Sequence, residues 1–485
     1  MPEHAAAHRA WRALVVLCTC LALGYWWIDR PTGYPIEFDA YENLTAAYNL
    51  AHHGVMSIED TPGAQLEPSE HREPLPIIAL AGYIAALDPV LGDKPLAQLA
   101  SGPDARMLKY SNIPWALLLA VLVYCTVLRY VGSHGWAALA TLAVHYQLAY
   151  QYDFLYSEFI AAALLALASL VAALAVERRR LSFAFVAGAC FGLLTLTKAA
   201  FFYVTLALIL CTVAWGVWQR LRVNDGYGLR AAPLLALGFA LVVAPWMVRN
   251  YLHFDTVKLS GRGGIVLLTR ALKNNMTAEE YRGAWFAYAP RPLRATVGRL
   301  TGFDKHDLED GGRLVRLQRF ASERDRPAIA AGRPDEAVSY YARANAMRSE
   351  LERIDPAASD VVIDMTLRQR AFDLIRADPL AHAAAVPLFL WRGAPYTFCI
   401  LLAAGLYALV RRRPWLFAYV MPAMGMVLFY AALSHFIPRY AEPMLPVSAV
   451  AFVVLADAAW RTCRARMHAP LRASPVNAPR METGR

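Results

Sequence analysis

The sequence predicts an all-α integral membrane protein, and three observations carry that prediction. Hydrophobic residues make up 58% of the 485 and charged residues only 18%. The apolar residues gather into blocks near the length of about 18–20 residues that a helix needs to cross the hydrocarbon. Lys and Arg concentrate in alternate loops between those blocks, the pattern a multi-pass chain shows when its basic loops stay inside.

About ten transmembrane helices are expected, over 11–28, 112–128, 135–149, 159–176, 182–197, 199–217, 232–248, 395–410, 415–433 and 444–459. The first block follows basic residues, as a signal peptide would. It lacks a small-residue cleavage site before Tyr25, Trp26 and Trp27, so it reads as an anchor. With the N-terminus inside, the inner loops carry Arg9 and Arg12, Arg129, Arg178 to Arg180, Arg220, Arg222 and Arg230, and Arg411 to Arg413. The short outer loops hold little beyond Arg30, Lys198 and Arg439. The alternation predicts cytoplasmic N- and C-termini in a cell inner membrane, and the Ala- and Arg-rich composition points to a bacterium. The net charge of +10 is then a topology signal, with no nucleic-acid partner implied. Six of the seven cysteines fall within spans and no Cys-x-x-Cys pair occurs, so they read as small buried hydrophobes.

The blocks divide the chain into an N-terminal transmembrane module over 11–248, an outer region over 249–392, C-terminal transmembrane helices over 393–460 and a tail over 461–485, expected to be disordered and cytoplasmic. The module contains a long first outer loop, 29–110. Its segment 38–50 has apolar and aromatic residues at helical spacing, and 75–87 is apolar but short, so both read as juxtamembrane helices on the outer surface. The outer region is polar, with helical charge patterning over 337–354 and 361–376, which predicts a small helical periplasmic unit.

Ionisable groups at the outer ends of the spans are the candidate functional residues, because charge beside hydrocarbon is costly. Asp39 and Glu42 fit a capping box for the helix starting there, and a cap would also fix the Asp39 carboxylate at one depth. His71, Arg72 and Glu73 precede Pro74 at the start of the second surface helix, where Arg72 is placed to bind a phosphate. Asp153 and Glu158 bring acids to the next outer loop, and Lys198 lies between two back-to-back spans. Arg249 closes the seventh span, and His435, Arg439 and Tyr440 precede the last one. His435 is the candidate for a divalent metal, as a single His without partner spacing.

Acids and cations at one membrane plane suit a lipid whose phosphate lies at the interface and whose reactive group projects outward. A carboxylate can take the proton of an attacking hydroxyl as a bond forms. Cations that stabilise the departing phosphate can then replace a general acid. One base and one phosphate site give a single displacement with inversion.

These residues resemble the GT-C superfamily of polyprenyl-phosphate-sugar-dependent glycosyltransferases. The similarity is to the branch holding protein O-mannosyltransferases, the lipid A aminoarabinose transferase and lipopolysaccharide-core transferases. It runs over about residues 10–460 and rests on several motifs: Asp39 to Gly54, Arg72-Glu73-Pro74-Leu75-Pro76, Tyr156-Ser157-Glu158, Thr197-Lys198, Pro245-Trp246 with Arg249-Asn250, and Arg439-Tyr440 with Pro443 and Pro446. The resemblance implies a hexosyl- or pentosyltransferase acting at the periplasmic face on a lipid, glycan or protein acceptor. Asp39, Glu158 and Asp153 would be its acids, and Arg72, Lys198, Arg249 and Arg439 its phosphate contacts. Glu42, Glu73, His71 and Tyr440 would touch donor or acceptor. Two departures stand out. Ala40 follows Asp39 where many mannosyltransferases have a second acid, and His71-Arg72-Glu73-Pro74 stands where the aminoarabinose branch has Glu-Lys-Pro-Pro. The alternatives are a lipid-linked-glycan flippase, an O-antigen ligase or polymerase using a diphosphate carrier, and an inactive scaffold. A flippase would place charges at mid-membrane depth, whereas here they cluster at the span ends.

Overall fold

The computed structural model describes residues 2–61, 65–92, 94–261, 263–356 and 358–467, and among them every regular element is helical. The first part comprises α1 (Pro2–Asp29), α2 (Asp39–His53), α3 (Pro74–Leu91), α4 (Leu96–Leu99), α5 (Gly102–Lys109), α6 (Ile113–Val131), α7 (His134–Gln147), α8 (Glu158–Arg178), α9 (Leu181–Thr197), α10 (Phe201–Val223) and α11 (Tyr227–Phe254). The middle part comprises α12 (Gly263–Ala271), α13 (Ala278–Ala287), α14 (Arg291–Thr301), α15 (Asp325–Ala331), α16 (Tyr340–Ile354) and α17 (Asp360–Ala377). The chain then returns through α18 (Pro379–Ala384), α19 (Val386–Gly393), α20 (Pro395–Val410), α21 (Pro414–Leu433), α22 (Pro438–Ala441) and α23 (Leu445–Met467).

All ten expected blocks are helical, and the protein is an all-α, multi-pass membrane protein. Among the described residues eight helices are long and apolar enough to cross a membrane, or nine if a bent pair counts as one span. That pair is α18–α19 with α20, bent by 105° at Ala394 before Pro395. The count differs from ten because α7, with 14 residues, and α9, with 17, fall short. At about 1.5 Å per residue, α7 covers about 21 Å of a hydrocarbon layer about 30 Å thick. The opposite correction applies to α3. Its helix continues through Pro89 to Leu91 and, at 18 residues, is long enough to span rather than only lie on the surface.

The bundle is organised around α8, whose spanning window is 72% buried and which packs on α6, α9 and α21. Apolar residues all round a helix dictate such a central place. The tightest pair is α9 against α11, and glycine makes it possible. A Cβ at Gly188 would collide with the carbonyl of Leu235, and one at Gly238 with that of Phe185. Small residues let membrane helices bring their backbones together, where dispersion substitutes for the hydrophobic drive that lipid removes.

Two smaller cores lie outside this bundle. Leu44, Ala47, Ile77, Leu80, Ile84 and Leu108 pack α2, α3 and α5 together. Leu268, Phe286, Leu314, Tyr340 and Leu367 pack the region of α12 to α17, and α16 and α17 lie close to the two helices expected there. The helix α23 extends to Met467, so the segment expected to begin a disordered tail at 461 starts as helix. Residues 468–485 of that tail lie outside the described residues.

Candidate functional site

The site is assembled from helix ends. Phe38 precedes α2 with φ 52° and ψ −132°, a conformation that strains a residue with a Cβ. Asp39 is therefore the first residue of the helix, and no side chain caps it. This corrects the capping-box reading of Asp39 and Glu42. The Asp39 carboxylate instead accepts from Arg72 Nη2 at 2.9 Å on Oδ1 and from Arg439 Nη2 at 2.8 Å on Oδ2. Glu42, one turn further along α2, lies 2.5 Å from the same Arg72 Nη2.

Arg72 reaches this position because Pro74 starts α3 immediately after it, with Glu73 in extended conformation as the N-cap residue. Arg72 and His71 are each 8% exposed. His71 bridges two elements, with Nε2 3.4 Å from Glu42 and Nδ1 3.5 Å from Asp360 at the start of α17. Glu158 opens α8 and is 2% exposed. Its Oε1 meets Lys198 Nζ at 3.3 Å and Arg439 Nε at 3.4 Å. Lys198 terminates α9, and the next residue, Ala199, donates its N–H to Glu73 Oε1 at 3.4 Å. Arg439, on the single turn α22, also stacks over the Tyr156 ring at 4.6 Å. Burial pushes the Tyr156 hydroxyl up, with Asp39 and Glu158 adding to the rise and Arg439 opposing it.

Asp39, Glu42 and Glu158 thus alternate with Arg72, Arg439 and Lys198 in one network that joins α2, α3, α8, α9 and α22. Charge-assisted contacts of this kind hold both partners rigidly. An incoming anion can exchange for the carboxylates on the cations, and a hydroxyl can then bond to the carboxylate released.

Asp153, Arg249 and His435 lie apart from this network, whereas Tyr440 lies beside it. Asp153 does not join Asp39: its carboxylate is taken up by the Thr32 N–H and hydroxyl and by Lys109 Nζ at 2.9 Å. Lys109 is 1% exposed and needs that countercharge. Arg249 donates to the Ser69 carbonyl at 3.2 Å and stacks on Trp246 at 4.5 Å, which makes it an anchor for the segment before Arg72. His435 lies between Tyr341 and Tyr440. Among the described residues no group of three or more His, Cys, Asp or Glu is arranged to hold a metal, so His435 lacks co-ligands. Tyr440 packs its ring on Tyr430 and His435 beside the network.

Tyr156 entered the sequence reading only as part of the Tyr156-Ser157-Glu158 motif, and Asp360 and Glu70 were not foreseen. Glu70 is 4% exposed, and among the described residues neither carboxylate oxygen has a hydrogen-bond partner. Burial pushes its carboxyl up, Lys258 and Arg249 oppose this, and Asp364 and Asp360 add to it. No periodicity or motif marks Glu70 or Asp360, because their position depends on how α17 docks on the first outer loop.

No protein-family model matches the chain, and no curated protein does. Among solved structures, the crystal structure of ArnT from Cupriavidus metallidurans in the apo state is similar over 92% of this chain and 78% of that one. The two are 13% identical with a TM-score of 0.33. A likeness that distant assigns neither a family nor an activity.

Proposed function

We propose that this protein is a membrane glycosyltransferase of GT-C type, moving a sugar from a polyprenyl-phosphate donor to an acceptor at the outer face of a bacterial inner membrane. The observation that carries the reading is Asp39, a carboxylate held at a helix start between Arg72 and Arg439 beside the ends of membrane-length helices.

In this reading the donor phosphate binds to Arg72, Arg439 and Lys198, drawing the two guanidinium groups from Asp39 and Glu42. The released Asp39 carboxylate accepts the proton of the acceptor hydroxyl while that oxygen attacks the anomeric carbon. The bond from that carbon to the phosphate oxygen breaks, its electron pair leaves with the phosphate, and the cations stabilise the growing charge. Attack opposite the leaving group inverts the centre. Glu158, buried against Lys198 and Arg439, orients those cations. Asp39 and Glu42 face guanidinium groups instead of a shared vacant donor set, so no step is routed through a divalent metal.

The test is transfer of radiolabelled sugar by the purified full-length protein in nanodiscs. The donors are a panel of polyprenyl-monophosphate sugars and a diphosphate-linked glycan. Transfer from a monophosphate donor is the expected result. Transfer from the diphosphate carrier alone would favour a ligase, and movement of intact lipid-linked glycan without transfer would favour a flippase.

A further inference from the structure

A second cluster of cations lies between the outer helical region and the returning membrane helices, and it lacks countercharge. Arg270 and Lys273 are 0% and 3% exposed. Arg392 shares the Tyr288 ring with Lys273, at 4.3 and 5.2 Å, and donates to the His435 carbonyl at 2.9 Å. Arg319 donates to the Tyr341 hydroxyl at 3.2 Å, and the Tyr341 ring packs against His435.

Among the described residues none of these four cations forms an ion pair. Arg270 donates to the carbonyls of His382 and Ala431 and to Asn274 Oδ1, while Lys273 donates to the Tyr288 hydroxyl. Glu280, whose charge acts on Tyr288, is already committed to Arg316 and the Tyr340 hydroxyl. Buried charge is ordinarily paired, because carbonyls and ring faces offset only part of the lost hydration. Nearby His435 Nδ1, His382 Nε2 and Asn274 Nδ2 are buried without hydrogen-bond partners among the described residues. Burial, with Arg392 and Arg270 alongside, pushes the Lys273 ammonium well below its usual range, as expected where like charges converge without an anion.

We propose that this seam is a second anion site, which takes a phosphate or carboxylate group carried by the acceptor. His435 lies four residues before Arg439, whose guanidinium holds Asp39 and Glu158. Arg439 also acts electrostatically on His435, so an anion seated there lies next to a cation of the Asp39 network. Anion binding itself stands apart from the transferase reading, which supplies only the identity of the ligand as acceptor.

The experiment is a titration of the full-length protein in phosphatidylcholine nanodiscs with glucose 6-phosphate at low ionic strength, followed by calorimetry. Saturable binding is expected, with neutral glucose showing none. Arg392→Gln and Arg319→Gln should each weaken it about fivefold or more, as loss of a charge-assisted contact does, and Asp39→Asn should leave it intact. Arg319 is exposed, so its variant guards against a folding defect at Arg392. Repeating the titration with phosphatidylglycerol in the nanodiscs separates the sources. Displacement by that lipid supports a headgroup-borne anion, and retained binding supports an anion on a soluble or glycan acceptor. Absence of binding, equal binding of glucose, or wild-type affinity in both Arg variants overturns the site. If Asp39→Asn still binds glucose 6-phosphate, the anion site survives even where the transferase reading fails.

Discussion

Arg439 and Asp39, 400 residues apart in the chain, are joined at 2.8 Å, and the same guanidinium reaches Glu158 through Nε at 3.4 Å. One side chain from α22 thus ties the start of α2 to the start of α8. Arg439→Gln leaves the buried Glu158 with Lys198 at 3.3 Å as its remaining cation. Removing one member of a buried charge group costs on the order of 1–3 kcal/mol. A lowered thermal midpoint in detergent is expected, together with a loss of transfer well beyond what the lost folded fraction explains.

His71 couples the outer helical region to the network, standing between Glu42 and Asp360 at 3.4 and 3.5 Å. His71→Gln should reduce transfer by roughly tenfold through misplacement of Glu42 and Arg72, since small displacements of positioning groups are costly. Asp360→Asn should act in the same direction but more weakly. Steady-state kinetics check this, with a fall in kcat at little-changed thermal midpoint as the expected signature.

Asp153 and Lys109 should matter for folding and not for turnover. Asp153→Asn leaves the Lys109 ammonium, 1% exposed, with only the carbonyls of Thr32 and Tyr34. The expected cost is about 1–3 kcal/mol of stability. Activity per folded molecule should remain within about twofold of wild type, measured after quantifying monodisperse protein by size-exclusion chromatography.

Glu70 gives a pH dependence with a definite sign. Its folded carboxyl is pushed above the ordinary glutamate value, chiefly by burial, so the fold prefers the protonated form. Stability from this group is therefore intact below about pH 4.3 and declines as pH rises through the elevated folded value. Glu70→Gln should raise the thermal midpoint at pH 7–8 and leave it unchanged near pH 4. Scanning fluorimetry across that range reads the difference.

Much of the fold was legible because membrane helices announce themselves through block length and hydropathy, which are local properties. The ten expected blocks became helices, but span length failed as a local criterion at α7 and at α3. There, end points depend on turns that only packing decides. In the site, Asp39, Arg72, Glu158, Lys198 and Arg439 were all legible as costly charges at helix ends. Their pairings were not, since each contact joins distant loops. Asp153 shows the limit most clearly. It was expected to face Asp39, yet its partner is Lys109, a lysine whose burial no sequence pattern reveals.

The central claim is that Asp39 acts on the acceptor while the neighbouring cations hold the donor. A single-turnover transfer assay on Asp39→Asn, with donor binding measured in the same nanodisc preparation, tests it most directly. The account predicts that the variant binds the polyprenyl-phosphate sugar and turns it over about 10²–10⁴-fold more slowly, the range for loss of a positioned base. Turnover at the wild-type rate with donor bound would contradict it.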